Sequence, residues 1–269
     1  MQMFENLPWY SYLILIVAIA SYGYRYFKIG KKEYDAPDLK EAKFKKSSNS
    51  NLNEEQRFAI ALYTPISEWW EADCNTLSFL NANDVKPYLE GWWIDTPEGY
   101  WGLTEYFMKD GRRWYFDFIY NMIQNAPKEQ WESLMDEKFG HNERADRFFE
   151  FLSTGVVLDT LKQKGILLFD SELELGVAGY DAAVLVGQAR KAYTAGLISE
   201  KDAWKVINFA SGLAQQNFSS WEEFGKSFVI GFSLDMKAEY NPYKEEIYHI
   251  YKQVLENPNS PWNTIDWPR

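Results

Sequence analysis

Apolar residues recur three and four positions apart along most of the chain from residue 52 onward, which predicts helices. The best-specified run is Leu175–Met236, where three helical stretches follow one another. Gly196 suits the left-handed residue that ends the first helix, and Ser199 with Asp202 is a start signal for the second. The segment Ser219–Glu223 repeats that start signal before the third helix.

The same spacing predicts further helices upstream of this run. One begins near Leu52, where Asn53 can cap it, and is kinked or split at Pro65. The stretch Gly91–Asn121 contains two amphipathic helices that break at residues 110–111. The order of these signals places at least three helices before residue 125.

Two more helices are predicted between residues 127 and 164. Pro127 starts one that continues through Met135, and Glu143–Lys164 has the spacing of a single helix. The apolar run Ile166–Phe169 is short enough for a strand, but one strand cannot form a sheet. We therefore expect this run to be a buried connector.

The C-terminal part is predicted to contain one last helix and a tail. The helix covers Asn241–Leu255, and the tail from Asn257 is rich in proline, so we expect it to be extended. Trp262 and Trp267 in the tail are expected to be buried against the globule. The predicted fold class is all-α, with about eight to ten helices in one compact domain over residues 52–269.

An uncharged stretch near the N-terminus predicts a transmembrane helix. Residues 6–24 carry no charge and, as a helix, span about 28 Å, close to the thickness of the hydrocarbon core. Aromatic residues lie at both ends of the stretch, as is typical of membrane interfaces. Residues 1–30 are therefore predicted to be a membrane anchor, with the lipid bilayer as partner of residues 6–24.

Charges around this stretch predict its orientation. Arg25, Lys28, Lys31 and Lys32 follow it, whereas the N-terminal side carries only Glu5. The positive-inside rule then places the N-terminus outside and the C-terminal domain in the cytoplasm, with a single pass through the inner membrane. A cleaved signal peptide and a buried core helix are the alternatives, but a signal peptide normally opens with Lys or Arg.

The polar, basic segment 31–51 is predicted to be a linker that tethers the domain and does not pack on it. Residues 1–50 hold eight Lys or Arg and five Asp or Glu, although the whole chain has a net charge of −11. The folded part is therefore acidic. An acidic globule repels nucleic acid and favours a basic protein partner, although acidic residues also serve solubility.

Most catalytic and metal-binding signatures are missing from the sequence. The single Cys74 excludes an intramolecular disulfide and a cysteine-based zinc site. Glu246 and His249 form one Glu-x-x-His pair, whereas a di-iron bundle needs two such pairs and further glutamates. Gly225-Lys226-Ser227 lacks the preceding glycine of a phosphate loop. We therefore predict no metal and no cofactor.

Four residues remain as a candidate polar site, namely Asp181, Arg190, Trp221 and Glu222. A charged side chain in so apolar a helix needs a partner, because an unpaired buried charge is costly. One interpretation is that Asp181 and Arg190 are each paired with another helix and fix packing. The other is a pocket in which Asp181 is a base or ligand and Arg190 binds an anion.

The order GYD, ARKAYTAGLIS, KDAW and FSSWEEFGKSFVIG resembles the bacterial family known as domain of unknown function 1266. The matching positions are Asp181, Arg190, Gly196, Ile198, Ser199, Ala203, Trp204, Ser220, Trp221, Glu222 and Gly231. With NEEQRFAIAL and the segment around Arg112, the resemblance covers about residues 52–236. It implies a shared helical fold and no established biochemical activity.

These observations favour a membrane-anchored helical domain that binds a protein partner, with an immunity-like role against a basic toxin or effector as one form. Two alternatives stay open. One is an enzyme or small-ligand receptor with a pocket around Asp181 and Arg190. The other is a structural membrane component that acts by self-association. The sequence does not fix the oligomeric state.

Overall fold

A computed structural model of the chain describes residues 39–48, 50–92, 94–235 and 242–268. Within these ranges every regular element is helical, as predicted, and the helices enclose one hydrophobic core. The α-helices are α1 Glu54–Ala61, α2 Thr64–Trp69, α3 Ala82–Gly91, α4 Pro97–Lys109, α5 Arg113–Asn125, α6 Trp131–Phe139, α7 Glu143–Ser153, α8 Val156–Gln163, α9 Ala178–Thr194, α10 Glu200–Asn217, α11 Trp221–Asp235, α12 Pro242–Glu256 and α13 Pro261–Thr264. Two 3₁₀ segments, Lys128–Gln130 and Asp170–Leu175, join them.

Most predicted helix ends are confirmed, because each rests on a local hydrogen bond. Asn53 accepts from the Gln56 backbone N–H and begins α1, and Pro65 lies in the first turn of α2, so the helix from Leu52 is split. Ser199 accepts from the Asp202 N–H and begins α10. Short segments such as α2 and α13 bring the number of helices above the eight to ten predicted.

The prediction of one helix over Glu143–Lys164 is wrong. Gly155 has a φ of +73°, in the left-handed region, and this turn separates α7 from α8. The apolar spacing continues across the turn, so the pattern alone conceals the break. Phe151 and Val157 are buried on its two sides.

The segment Ile166–Phe169 is only partly the buried connector that we expected. Ile166 and Leu167 are buried, but Leu168 and Phe169 are 63% and 66% exposed. The backbone N–H groups of Leu168 and Phe169 both donate to the Glu172 carboxylate. These two hydrogen bonds fix the backbone of the turn, and the side chains of Leu168 and Phe169 are exposed.

The centre of the domain is α9, which packs against α3, α4, α10 and α11. Fourteen of its seventeen residues are buried, so it has no solvent face. Gly179 and Gly231 allow α9 and α11 to approach closely. A Cβ at Gly179 would lie 2.6 Å from the Phe224 carbonyl oxygen, and one at Gly231 would lie 2.3 Å from Tyr180 Cβ.

The C-terminal tail packs on the globule as predicted, although it is not extended throughout. Ser260 caps the short helix α13, and Trp262 is 3% exposed with its Nε1–H donating to the Ala61 carbonyl. The Trp262 ring stacks on Trp221, with ring centroids 5.2 Å apart. Trp267 is half-buried and donates to the Phe218 carbonyl. The tail therefore connects α1 to the start of α11.

Residues 39–48, which we call the strap, do not behave as the solvated tether predicted for 31–51. Phe44 is 4% exposed, and the N–H groups of Lys43 and Phe44 donate to the Glu68 carboxylate over 2.6 and 2.8 Å. The Cys74 N–H also donates to the Lys45 carbonyl. The polar composition suggested a linker, but the strap packs through its backbone and one phenyl ring.

The predicted transmembrane stretch, residues 6–24, lies outside the described residues, as does the first part of the predicted linker. Across the part of the chain that the structure describes, no helix combines the length and the apolarity needed to cross a membrane.

We predict that Gly179→Ala lowers the free energy of unfolding by about 1–3 kcal/mol, because the added methyl meets α11 backbone atoms that cannot move aside. Gly212→Ala is the matched control. Gly212 is in α10 with nothing within 4 Å of its would-be Cβ, so alanine should raise stability by about 0.5–1 kcal/mol. Urea unfolding measures both, and equal effects would contradict the close approach.

Candidate functional site

Asp181 is buried inside the domain and caps the start of α5, a helix that is far from it in sequence. Its side chain is fully buried and accepts from the backbone N–H groups of Arg112 and Arg113, over 2.8 and 3.1 Å, and from Arg113 Nη1. Burial raises the pKa of Asp181 to about 6, although these donors favour the carboxylate. Gly111, with a φ of +64°, leaves the space for the carboxylate. Asp181 therefore positions the start of α5.

Arg190 is also fully buried and holds a loop. Its Nη1 donates to Ser67 Oγ at 2.8 Å, and its Nη2 donates to the carbonyls of Asp73 and Ser78 at 2.6 and 3.1 Å. Desolvation lowers the pKa of Arg190 to about 10. Three acceptors on two segments bind Nη1 and Nη2, while the buried Nε has no hydrogen-bond partner among the described residues. Arg190 therefore joins α9 to α2 and to the loop after it.

Trp221 and Glu222 lie in other contacts. Trp221 is buried in an aromatic cluster with Trp262, and its Nε1–H donates to the Ile265 carbonyl at 2.7 Å. Glu222 accepts from Lys226 one helical turn away, at 2.6 Å. Lys226 also pairs with Glu172, which holds the turn before α9. These two residues stabilise the start of α11.

The four predicted site residues therefore have separate hydrogen-bond partners in different parts of the domain. This is the arrangement expected if Asp181 and Arg190 fix packing. Separate partners also agree with the spacing of Asp181 and Arg190, since nine positions along a helix place the two residues on different turns. The carboxylate of Asp181 and the guanidinium of Arg190 therefore bond to groups inside the domain.

Lys191 is a buried cation that the sequence did not single out. Its side chain is 1% exposed, and its Nζ donates to Tyr63 Oη at 2.6 Å. Nζ lies 3.7 Å from the ring centroid of Tyr88, 4.8 Å from that of Phe79 and 5.8 Å from that of Trp70. No carboxylate among the described residues pairs with it. Desolvation lowers the pKa of Lys191 well below its usual value, and Arg190 adds to this effect.

No local signal could have identified Lys191, because its aromatic neighbours come from the turn before α2, the loop after α2, and α3. Gly187, one turn before Lys191 in α9, is a residue whose type reflects this packing. A Cβ there would lie 2.2 Å from Tyr63 Cζ, so glycine is required for Tyr63 to reach Lys191.

A solvent-open cleft lies between the strap, α2 and α12, with a volume of about 130 Å³. Its lining residues are Leu39, Lys40, Glu41, Ala42, Lys43, Glu68, Trp69, Glu71, Glu246, His249 and Ile250. Four of them are carboxylates and two are lysines, so the cleft carries a net negative charge. The Ala42 N–H donates to Gln253 Oε1, which fastens the strap to α12.

Two side chains of the cleft are positioned by defined bonds. Trp69 Nε1–H donates to Glu246 Oε2 at 2.6 Å, which leaves Glu246 Oε1 without a partner among the described residues. Gln253 Oε1 faces Ala42, so its Nε2 faces His249 Nε2 at 2.5 Å and makes that nitrogen the acceptor. The hydrogen bond from Lys40 lowers the pKa of Glu71. The cleft therefore presents a fixed carboxylate beside an indole ring.

Glu246 and His249, the pair weighed as a metal motif in the sequence, both line this cleft but bond to Trp69 and Gln253. Across the described ranges, no three His, Cys, Asp or Glu side chains gather as metal ligands would. The chemistry that this arrangement supports is recognition of a cation by carboxylates and an aromatic face.

Residues 89–267 match the family described as "Protein of unknown function (DUF1266)". The chain therefore belongs to this family, as its motif order predicted. The match begins later than residue 52 and extends past residue 236, so it includes the Trp-containing tail. No curated protein and no solved structure matches the chain.

We predict that, as the pH rises from about 7 towards about 10, the free energy of unfolding changes more favourably in the wild type than in Lys191→Met. The unfolded lysine, with a pKa of about 10.4, is protonated in this range, while the folded one has a lowered pKa. The unfolded chain then binds more protons, so a higher pH favours folding. Removing the amine should reduce the slope by up to about 1.4 kcal/mol per pH unit.

Urea unfolding at several pH values measures this difference. At pH 7 we expect Lys191→Met to be neutral or stabilising by about 1–4 kcal/mol, since an apolar side chain of similar volume avoids the desolvation of an ammonium. A large loss of stability at pH 7 with an unchanged pH slope would show that the rings hold Lys191 in its charged form.

Proposed function

We propose that this member of the DUF1266 family is a membrane-anchored helical module that holds a basic segment of a partner protein in the cleft between the strap, α2 and α12. The observation that carries the proposal is the fixed pair of Trp69 and Glu246, joined at 2.6 Å within an acidic cleft. A basic toxin or effector bound in this way would be neutralised, which is the immunity-like form of the function.

The cleft has the chemistry that recognises a guanidinium or ammonium group. Glu246 offers a carboxylate oxygen that has no partner among the described residues, and the indole ring of Trp69 lines the cleft beside it. Tyr243, 50% exposed, lies against Trp69 with ring centroids 5.3 Å apart and extends the aromatic surface outward. A lysine or arginine of a partner would meet a carboxylate and a ring together.

The whole-chain charge supports the same kind of partner. A net charge of −11 attracts basic proteins at long range and speeds their encounter. Inside the cleft, the Glu68 carboxylate is already engaged by two backbone N–H groups of the strap. Binding specificity then rests on Glu246 and the aromatic residues, while the other acids contribute to attraction.

The strap relates this cleft to the proposed anchor. It forms one wall of the cleft, and it follows the proposed transmembrane stretch after residues 25–38. Fourteen extended residues reach at most about 50 Å, so an anchored domain would keep the cleft within that distance of the bilayer. A partner at or crossing the membrane would be within reach.

We predict that the domain is on the cytoplasmic side of the inner membrane. On intact spheroplasts, added protease should leave a C-terminal tag and the domain uncut, because the charges after residue 24 favour an inside position. Cleavage appears only after the membrane is permeabilised. Loss of the domain from intact spheroplasts would contradict the proposed orientation.

We predict that Glu246→Gln weakens binding of an arginine-rich peptide to the full chain in detergent by about tenfold. Glutamine keeps an acceptor for Trp69 Nε1–H but removes the charge that pairs with the guanidinium, a contact worth about 1.5 kcal/mol or more. Fluorescence anisotropy of a labelled peptide at 150 mM salt gives the affinities.

Glu137→Gln is the matched control, since Glu137 is an exposed acid on α6 outside the cleft. It removes the same charge from the whole protein and should change the affinity less than twofold. If the two variants lose affinity equally, the peptide is attracted by net charge alone, and the cleft is not its site.

A further inference from the structure

Three arginines converge on Asp235 at the C-terminal end of α11, two of them on its carboxylate and one on its backbone carbonyl. Arg112 Nε lies 2.7 Å from Asp235 Oδ1, and Arg144 Nε lies 3.4 Å from the same oxygen. Arg147 Nη1 donates to the Asp235 backbone carbonyl at 2.9 Å. Residues from α7, α11 and the start of α5 thus form one cationic cluster in an acidic protein.

The carboxylate of Asp235 is already saturated. Besides Arg112, Tyr180 Oη donates to its second oxygen, Oδ2, at 2.8 Å, and the Asp235 side chain is 10% exposed. Within the described ranges, Arg112, Arg144 and Arg147 pair with no other carboxylate, and the neighbouring Asp181 is engaged by Arg113. Among the described residues, the Asp235 carboxylate is thus the one that lies within 4 Å of Arg112 and Arg144, and none lies that close to Arg147.

Packing accounts for two of these arginines. Arg112 is 3% exposed and neutralises Asp235 inside the domain, and Arg147 satisfies a carbonyl at the end of α11. Arg144 contributes less to packing, since its Nε lies 3.4 Å from Asp235 Oδ1 without forming a hydrogen bond. Its Nε is buried and makes no hydrogen bond in the described part of the chain, while its side chain is 39% exposed. Its Nη donors make no hydrogen bond within the described ranges, and the exposed part of the side chain is open to a ligand.

From this surplus we infer that Arg144 and Arg147, with Arg112 behind them, bind the phosphate group of a small phosphate monoester. A guanidinium has five N–H donors in a fork that matches phosphate oxygens, and these arginines use few of them. A phosphate monoester carries a charge of about −1.5 to −2 at neutral pH, so it can accept charge-assisted hydrogen bonds from both Arg144 and Arg147. Asp235 repels such an anion little, because Arg112 and Tyr180 already bind both of its oxygens.

This site is separate from the cleft in its residues and in the charge of its ligand. The cleft is acidic and selects cations, whereas the Arg144 cluster selects anions. Binding of a phosphate monoester therefore does not depend on the proposed function. Glu246→Gln, which impairs the cleft, should leave phosphate binding unchanged.

The test is titration calorimetry of the full chain in detergent with glycerol phosphate, at pH 7.5 and constant ionic strength in chloride. Arg144→Gln should weaken binding about tenfold or more, because it removes charge-assisted hydrogen bonds. Arg144→Lys should fall between wild type and Arg144→Gln, since it keeps the charge and loses the fork. Arg57→Gln, an exposed arginine on α1, is the control and should bind as the wild type does.

A second probe distinguishes a small monoester from a lipid headgroup. Glycerophosphoglycerol carries a diester with one negative charge and should bind at least tenfold more weakly than glycerol phosphate. Equal or tighter binding of the diester would overturn the monoester assignment in favour of a headgroup. Absence of binding by both probes, or equal affinities in wild type and Arg144→Gln with both folded, would overturn the site.

Discussion

The structure depends on the burial of polar side chains along α9. A helix enclosed on all sides must present partners to each charged group that it carries, because an unpaired buried charge costs several kcal/mol. Asp181 meets the start of α5, Arg190 meets the loop after α2, and Lys191 meets the phenol of Tyr63. Each bond fixes a different segment against α9. The polar groups therefore specify where the neighbouring elements pack.

These bonds also explain the positions of the small residues. Gly111 is needed where the Asp181 carboxylate approaches the backbone, and Gly187 is needed where the Tyr63 ring crosses α9. Gly179 and Gly231 bring α9 and α11 close enough for Ser227 Oγ to accept from the Gly179 N–H at 3.0 Å. The glycines allow the backbones to approach closely, and the close approach allows the polar groups to form hydrogen bonds.

The two proposed binding surfaces lie outside this centre, one beside the strap and the other at the end of α11. The strap closes one side of α2 and α12 and so creates the acidic cleft. At the end of α11, arginines from α7 and the start of α5 gather around Asp235. Both sites combine residues that are far apart in sequence, and both have side chains whose bonding capacity the fold does not use.

The sequence by itself determined most of the helices, many of their ends and the family, because caps such as Asn53 and Ser199 act within one turn of the chain. It also identified Asp181 and Arg190 as residues needing partners. Only the tertiary structure decided what those partners are, that the strap packs, that Lys191 is buried among aromatic rings, and that Arg144 lies beside Asp235. Those outcomes depend on contacts between segments distant in sequence, and the pattern of apolar positions carries no information about which segments meet.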